Sequence, residues 1–246
     1  MPALLYTLIR KMWDSFRPKR LYEKLPLDSV HVASWDPIGK WTSRYEAHAG
    51  RAQVDYTSVT GAKYGQIASY QVAAIFLGDC REVEDWGCGF GTFRRFCLSP
   101  TYIGIDGSES AAADLVIDLR KYTSDVEGIL LRHVLEHNPI GWRQIFLNAI
   151  QSFSKKMVLV IYTPFGDVTQ NVRRQIPQDT KVPVAISFRK DDIMSCIPPE
   201  VSWFTVIGEP LAEYETMFFL QKGVERSASY TSRQEVVYCP NFDGDL

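Results

Sequence analysis

The chain has 246 residues, of which 46% are hydrophobic and 23% are charged, and its formal net charge is -2. This length accommodates one large α/β domain with an appendage, and the near-neutral charge provides no general basic field, so nucleic acid is not expected as a partner. The five cysteines are an odd number without a C-x-x-C pair, which predicts reduced thiols in a cytoplasmic protein and no zinc site built from cysteine.

Residues 1–58 form a predicted arm that precedes the regular part of the chain. Residues 3–16 place their apolar side chains on one helical face, and residues 1–24 carry six basic side chains against two acidic ones. Two interpretations stay open for this helix: it packs on the main domain or on a protein partner, or it lies on a membrane surface. Pro18, Pro26 and Pro37 then predict a largely irregular segment.

Residues 59–222 alternate predicted strands and helices, and the polar residues 223–246 form a tail without a clear period. We expect helices at 63–77, 140–153 and 189–197, and strands at 82–86, 101–106, 113–118, 128–133, 156–163, 201–208 and 215–221. Strands that alternate with helices indicate an α/β fold with a mostly parallel sheet covered on both faces. The last two strands are too close in sequence for a helical crossover, so they are predicted to be antiparallel.

A glycine-rich turn, WGCGFGTF, follows the strand at 82–86. Gly87, Gly89 and Gly91 allow a tight turn and a close approach of the backbone to a ligand, and the next helix is expected to begin near Thr92. Asp106 ends the second strand, nineteen residues after Gly87, which is the spacing of a carboxylate that binds ribose hydroxyls. The alternatives are a plain tight turn and a capping role for Asp106.

Four segments in this order resemble the motifs of class I S-adenosylmethionine-dependent methyltransferases. DWGCGFG is similar to the first motif of that family, YIGIDGS to the second, DLR to the acidic position after the third strand, and HVLEH to the element at the end of the fourth. The resemblance implies a Rossmann-like sheet of seven strands in the order 3-2-1-4-5-7-6, with the last strand antiparallel and helices on both faces.

The resemblance also implies S-adenosyl-L-methionine as the cofactor and assigns residues to its parts. The glycine turn with Asp85 would hold the methionine portion, Asp106 the ribose and Asp118 the adenine, while His133 would lie near the methionine amino group and the acceptor. The implied cofactor-binding set is Asp85, Gly87, Cys88, Gly89, Gly91, Asp106, Gly107, Asp118, Leu119 and His133.

The stretch LLRHVLEHN contains H-x-x-E-H, which is the spacing of an inverted zinc-protease motif. A zinc site would need residues 129–137 to be helical and a third ligand from elsewhere, and Pro139 disfavours such a helix, so we predict no metal. Under the methyltransferase resemblance these residues line the active site at a strand end. His133 and His137 are then the candidate acid–base residues.

The resemblance and the residues together predict a methyl acceptor that is a small molecule or a glycan, methylated on oxygen. The chain lacks the (N/D)-P-P-(Y/F) run of enzymes that methylate nucleobase or amide nitrogen. A catalytically silent S-adenosylmethionine-binding module and a zinc metallohydrolase using His133, Glu136 and His137 remain as alternatives. The candidate acceptor-binding residues are Arg44, Tyr45, Tyr64, Tyr162 and Phe165.

Overall fold

The computed structural model describes residues 22–25, 66–174, 185–207, 215–223 and 233–237. Its helices are α1 (Gln66–Leu77), α2 (Trp142–Ser152) and α3 (Lys190–Met194), and single turns of 3-10 helix occur at Thr92–Arg95 and Leu135–His137. Its strands are β1 (Tyr22–Leu25), β2 (Glu82–Trp86), β3 (Thr101–Asp106), β4 (Leu115–Val116), β5 (Val126–Arg132), β6 (Phe153–Ile161), β7 (Gln170–Arg174), β8 (Ala185–Ser187), β9 (Ser202–Ile207), β10 (Thr216–Gln221) and β11 (Arg233–Val237).

Eight strands form the main sheet, in the order β4-β3-β2-β5-β6-β10-β9-β11. β2, β3, β4, β5 and β6 are parallel, whereas β10 is antiparallel to both β6 and β9. The predicted order 3-2-1-4-5-7-6 is therefore confirmed. The additional strand β11 pairs in parallel with β9 at the edge, within the tail for which the sequence predicted no structure.

The central strands are buried on both faces, which explains their continuous apolar sequences. On one face Ile129, Leu131 and Leu159 pack with the apolar side of α2. On the other face Leu130 and Val158 pack in the cluster that contains the apolar residues of α1. Both predicted helical layers are therefore present, one on each face of the sheet.

The helix predicted after the glycine turn is only one 3-10 turn, Thr92–Arg95. Only fourteen residues separate β2 from β3. Phe93 anchors the turn because its side chain is fully buried and its ring stacks 6.1 Å from that of Tyr70 on α1. Residues 107–125, all of which are described, connect β3, β4 and β5 without a helix, and β4 is two residues long instead of six.

A second sheet of three antiparallel strands, in the order β1-β7-β8, is formed by the arm and the segment after β6. It is tied to the carboxyl end of β6: Thr163 Oγ1 donates to Ile186 O and Ser187 Oγ donates to Pro164 O, each at 2.7 Å. The strand β1 falls in the segment predicted to be irregular. Among the helices that the structure describes, none has the length and apolarity needed to cross a membrane.

Candidate functional site

The candidate site lies at the carboxyl ends of β2, β3, β5 and β6. From β2 the chain first adds β3 and β4 on one side, and then crosses to add β5 and β6 on the other. The strand order therefore reverses between β2 and β5, and ligands of open α/β sheets bind in the crevice outside such a reversal. At this end of the sheet the glycine turn follows β2, Asp106 is the last residue of β3, and His133 follows β5.

The glycine turn has the backbone conformation that the sequence predicts. Gly87, Gly89 and Gly91 have φ angles of 78°, 54° and 69°, which glycine adopts without strain. The N–H groups of Gly87 and Cys88 both donate to Ile105 O, at 2.7 and 3.0 Å. These bonds attach the turn to the end of β3, and Cys88 itself is buried.

Close packing accounts for the absence of a side chain at Gly87. A Cβ atom there would collide with the side chain of Val134, which follows β5. The loops after β2 and β5 therefore touch, which brings the glycine turn close to the segment that follows His133.

Asp106 holds the glycine turn against the end of β3. Its Oδ2 accepts the Gly89 N–H at 2.9 Å and its Oδ1 accepts the Ser108 N–H at 2.8 Å, and Gly107 lies between them in the chain. A carboxylate at the end of the second strand, beside a glycine turn, has the position that binds ribose hydroxyls in nucleotide-binding α/β folds. This arrangement fits a ribose-binding carboxylate.

Asp85 is buried on β2 and accepts a hydrogen bond from the Tyr102 hydroxyl at 2.8 Å. Burial raises the pKa of Asp85 to about 7 against the effect of that hydrogen bond, and the nearby charge of Asp106 adds to the increase. Asp85 therefore links β2 to β3 close to the start of the turn.

Asp118 and Leu119, the predicted adenine contacts, are engaged within the protein. Both Asp118 carboxylate oxygens accept from the Arg120 guanidinium, and Arg120 lowers the pKa of Asp118. Leu119 is buried, and its carbonyl accepts from Asn148 Nδ2 at 3.0 Å.

His133 directly follows β5 in a left-handed backbone conformation, with φ 56°, which is rare for a residue with a side chain and is concentrated at functional sites. Its Nε2 lies 2.8 Å from Glu215 Oε1, although the ring is not turned to give hydrogen-bond alignment. Burial and the Arg132 guanidinium lower the pKa of His133 to about 4, against the opposing effect of Glu215.

Tyr162, at the end of β6, stands between the two candidate histidines. Its ring centroid lies 4.9 Å from that of His133 and 5.4 Å from that of His137, and its hydroxyl is 3.4 Å from His137 Nε2. Glu136 is fully buried beneath it and accepts the Tyr162 N–H at 2.6 Å through Oε1. Burial raises the pKa of Glu136 to about 8.

The zinc interpretation loses its geometric premise, because residues 129–137 are not one helix. β5 continues to Arg132, and only residues 135–137 form a 3-10 turn. Within the described ranges, no group of three or more His, Cys, Asp or Glu side chains is arranged to hold a metal ion.

The predicted acceptor-binding residues divide into three groups. Arg44, Tyr45 and Tyr64 lie outside the described residues. Tyr162 lies between the histidines, as above. Phe165 packs edge-on against the buried Phe218, with ring centroids 6.1 Å apart, so it also belongs to the core.

Arg132 and Glu215 are site residues that the sequence analysis did not assign. The Arg132 guanidinium donates to Glu215 Oε1 at 2.8 Å, and both side chains are buried directly behind His133. A usable signal was present: each charge adjoins an apolar strand, and buried charges require a partner.

No protein-family model matches the chain, and no curated protein matches its sequence. Solved structures share its fold. A Burkholderia thailandensis 1,6-didemethyltoxoflavin-N1-methyltransferase, with 1,6-didemethyltoxoflavin and S-adenosylhomocysteine bound, has a TM-score of 0.54 at 14% identity, covering 84% of this chain and 97% of that one. An amino pentose methyltransferase of Micromonospora echinaspora, with S-adenosylmethionine bound, has a TM-score of 0.51 at 14% identity, covering 70% and 97%.

The magnesium protoporphyrin IX methyltransferase of Synechocystis PCC 6803, with S-adenosylmethionine bound, has a TM-score of 0.51 at 15% identity and covers 74% of this chain and 93% of its own. Together with the strand order and the antiparallel β10, these likenesses establish the architecture. The chain has the Rossmann-like α/β fold of class I S-adenosylmethionine-dependent methyltransferases.

Proposed function

We propose that the protein is an S-adenosylmethionine-dependent methyltransferase that methylates a small molecule or a glycan on oxygen. The observation that carries the proposal is the contact between Asp106 and the Gly89 N–H at the reversal of strand order. It combines a bare backbone turn with a carboxylate at the neighbouring strand end, and this combination suits an adenosyl ligand.

Different residues at the carboxyl ends of β2 and β3 would bind different parts of the cofactor. Asp106 and Gly107 would bind the ribose, and the turn from Gly87 to Gly91 would face the methionine portion together with Asp85. S-adenosylmethionine, when bound, supplies a methyl group on a positively charged sulfur. Adenine recognition through Asp118 would require Arg120 to release or share the carboxylate, since Arg120 now occupies both oxygens.

The acceptor side favours a neutral hydroxyl compound. Neutral His133 and Tyr162 present aromatic surface, and an imidazole beside the methyl group would serve a hydroxyl more than an amine, which needs no base. The three structural relatives act on a small heteroaromatic molecule, an amino pentose and a porphyrin according to their names, which supports a small acceptor.

The cellular setting is also part of the proposal. The cysteines in the described part of the chain, Cys80, Cys88, Cys97 and Cys196, are free thiols, which suits a reducing compartment such as the cytoplasm. We propose that the basic residues 1–24 contact a protein or a membrane surface near the acceptor.

Calorimetric titration with S-adenosylhomocysteine tests the cofactor assignment. Asp106→Ala is expected to weaken binding by more than about tenfold, because it removes the diol acceptor and frees the turn. Glu127→Ala is the matched control and should leave the affinity unchanged. Glu127 also accepts a backbone N–H, from Arg81 at 2.8 Å, but it lies at the amino ends of the strands, away from the candidate site. Equal affinity in the wild type and in Asp106→Ala would refute the assignment.

A panel of hydroxyl, amine and thiol acceptors with methyl-labelled S-adenosylmethionine tests the reaction. Transfer of label to a hydroxyl compound is the expected result. Transfer to amines alone would overturn the choice of oxygen. Tight binding without any transfer across the panel would favour the catalytically silent module.

A further inference from the structure

A buried ion pair lies directly behind the end of β5. Besides its contact with Glu215, Arg132 donates through Nε to Ser69 Oγ at 3.0 Å and through Nη1 to the Tyr70 hydroxyl at 3.2 Å. Its guanidinium also lies 4.2 Å from the centroid of the Tyr70 ring. Buried ions are tolerated only when their hydrogen bonds are well satisfied, so this cluster fixes the position of Glu215 Oε1.

The same oxygen faces His133. Nε2 of His133 lies 2.8 Å from Glu215 Oε1 and is itself buried, so the exposed fifth of the side chain lies elsewhere on the ring. The left-handed backbone at His133 and the bond from its N–H to Val160 O, 3.0 Å long, hold the ring above the ion pair. Nδ1 is therefore the ring nitrogen that does not face the ion pair.

The chemistry of the two groups selects one tautomer. A neutral imidazole has one donor and one acceptor nitrogen, whereas a carboxylate only accepts. The nitrogen next to Glu215 must then carry the proton, which leaves the other as a base. Catalytic hydrogen bonds are often poorly aligned before substrates bind, and a rotation of the ring would align this one.

We propose that Glu215, held by Arg132, is a positioning residue that fixes His133 with Nε2–H turned inward and Nδ1 presented to the acceptor hydroxyl. This inference rests on the proposed function. During transfer, the acceptor oxygen bonds to the methyl carbon while the carbon–sulfur bond breaks, and its electron pair stays on sulfur. The hydroxyl proton passes to Nδ1, and the resulting imidazolium is stabilised by Glu215 until the proton leaves to water.

The charge state of His133 agrees with this role. With its pKa lowered to about 4, the imidazole is neutral at neutral pH and able to accept a proton. A weak base is sufficient here, since an alcohol oxygen that gains a methyl group becomes strongly acidic before its proton leaves.

The ¹⁵N spectrum of histidine-labelled protein tests the tautomer without any turnover. The chain has only four histidines, and His133→Gln identifies the signal. With S-adenosylhomocysteine bound at neutral pH, we expect a protonated Nε2 and an unprotonated Nδ1. A proton on Nδ1, or on both nitrogens, would overturn the proposal, whereas the cofactor assignment is judged separately from the measured affinity.

Kinetics of Glu215→Gln test the consequence for catalysis. The amide oxygen would still face Arg132 and His133, but the neutral amide cannot stabilise the imidazolium as a carboxylate does. We therefore expect kcat to fall at least tenfold, as part of the ~10²–10⁴-fold contribution of a general base. The acceptor KM and the affinity for S-adenosylhomocysteine should change by less than about threefold. In a His133→Ala background the same substitution should lower kcat no further.

Glu84→Gln is the matched control, because Glu84 is also a buried carboxylate of the main sheet and accepts from Trp86 Nε1 and Ser124 Oγ, each at 2.7 Å, away from His133. Its kcat is expected to stay within about twofold of the wild type. An equal loss of kcat in Glu84→Gln, or an undiminished effect of Glu215→Gln in the His133→Ala background, would show a purely structural role. If Glu215→Gln fails to fold because Arg132 is left unpaired, the wild-type spectrum alone decides.

Discussion

At the scale of single residues, position 87 requires glycine for two reasons, its backbone conformation and the lack of space for a side chain. Its φ of 78° is unfavourable for other residues, and the space a Cβ would need is filled by Val134. The same glycine thus shapes the turn and lets the loop after β5 approach it. The sequence predicted the turn, whereas the contact with Val134 depends on packing between distant segments.

Gly87→Ala is expected to lower the free energy of unfolding by more than backbone strain alone, which is about 1–3 kcal/mol. Gly223→Ala isolates that strain, because Gly223 has φ 74° and no atom of the described residues lies within 4 Å of the place a Cβ would take. Chemical denaturation of both variants gives the comparison. The double variant Gly87→Ala/Val134→Ala should recover the excess, and equal losses at the two glycines would contradict the packing account.

Glu136 is expected to make stability fall as pH rises. Its folded-state pKa of about 8 exceeds the ordinary 4.5, so the folded protein holds the proton and loses stability between these two values. The raised pKa of Asp85 acts in the same direction up to about 7, whereas the lowered pKa of His133 opposes both below 6.5.

The window from pH 6.5 to 8 therefore reports mainly on Glu136. Thermal melts of the wild type should lose stability across it, by at most about 1.4 kcal/mol for each pH unit. Glu136→Gln, which mimics the protonated carboxyl group, should have a flatter profile. Parallel profiles for the two proteins would show that Glu136 is already ionised.

The pairing of Arg132 with Glu215 could not be predicted from the sequence. Their side chains meet although the residues are 83 positions apart, and no local pattern measures that separation. Each was visible as a charge next to an apolar strand, but the pairing followed only from the placement of β10 beside β6. The role of His133 as a polar residue at a strand end, by contrast, could be predicted from its motif.

At the scale of elements, hydrophobic patterns located the central strands and the helices α1 and α2 to within a few residues. The patterns missed all three strands of the second sheet and the strand β11. β1 and β11 are edge strands, where hydrogen bonding to a neighbouring strand sets the conformation and little apolar periodicity is needed. The 3-10 turn after Gly91 was also missed, because the length of the connection and the burial of Phe93 override the expected helix.

We predict that the hydrogen bond between Thr163 and Ile186 is needed to hold β8 at the end of β6. Thr163→Val keeps the shape of the side chain and removes its hydrogen bond to Ile186 O, so it should cost about 1–3 kcal/mol. Hydrogen exchange should accelerate at residues 185–187. Thr205→Val is the matched control, since Thr205 is also fully buried but its hydroxyl has no hydrogen-bond partner in the described structure.

That control should be neutral or stabilising. A loss in Thr205→Val as large as the loss in Thr163→Val would mean that the second sheet is not held by this hydrogen bond.

At the scale of the whole molecule, the strand order converts local motifs into one site. The reversal between β2 and β5 places the glycine turn, Asp106 and His133 together at the carboxyl ends of the parallel strands. The antiparallel β10 begins at that same end of the sheet and brings Glu215 there. The sequence predicted this order through its resemblance to the methyltransferases. It did not predict the second sheet, because β1, β7 and β8 come from separate segments of the chain.

A crystal structure with S-adenosylhomocysteine bound tests the central claim most directly. We expect the ribose hydroxyls on Asp106, the amino-acid portion along the turn from Gly87 to Gly91, and the sulfur facing the imidazole of His133. A ligand bound elsewhere, or a crevice that stays closed by side chains at saturating ligand, would contradict the account.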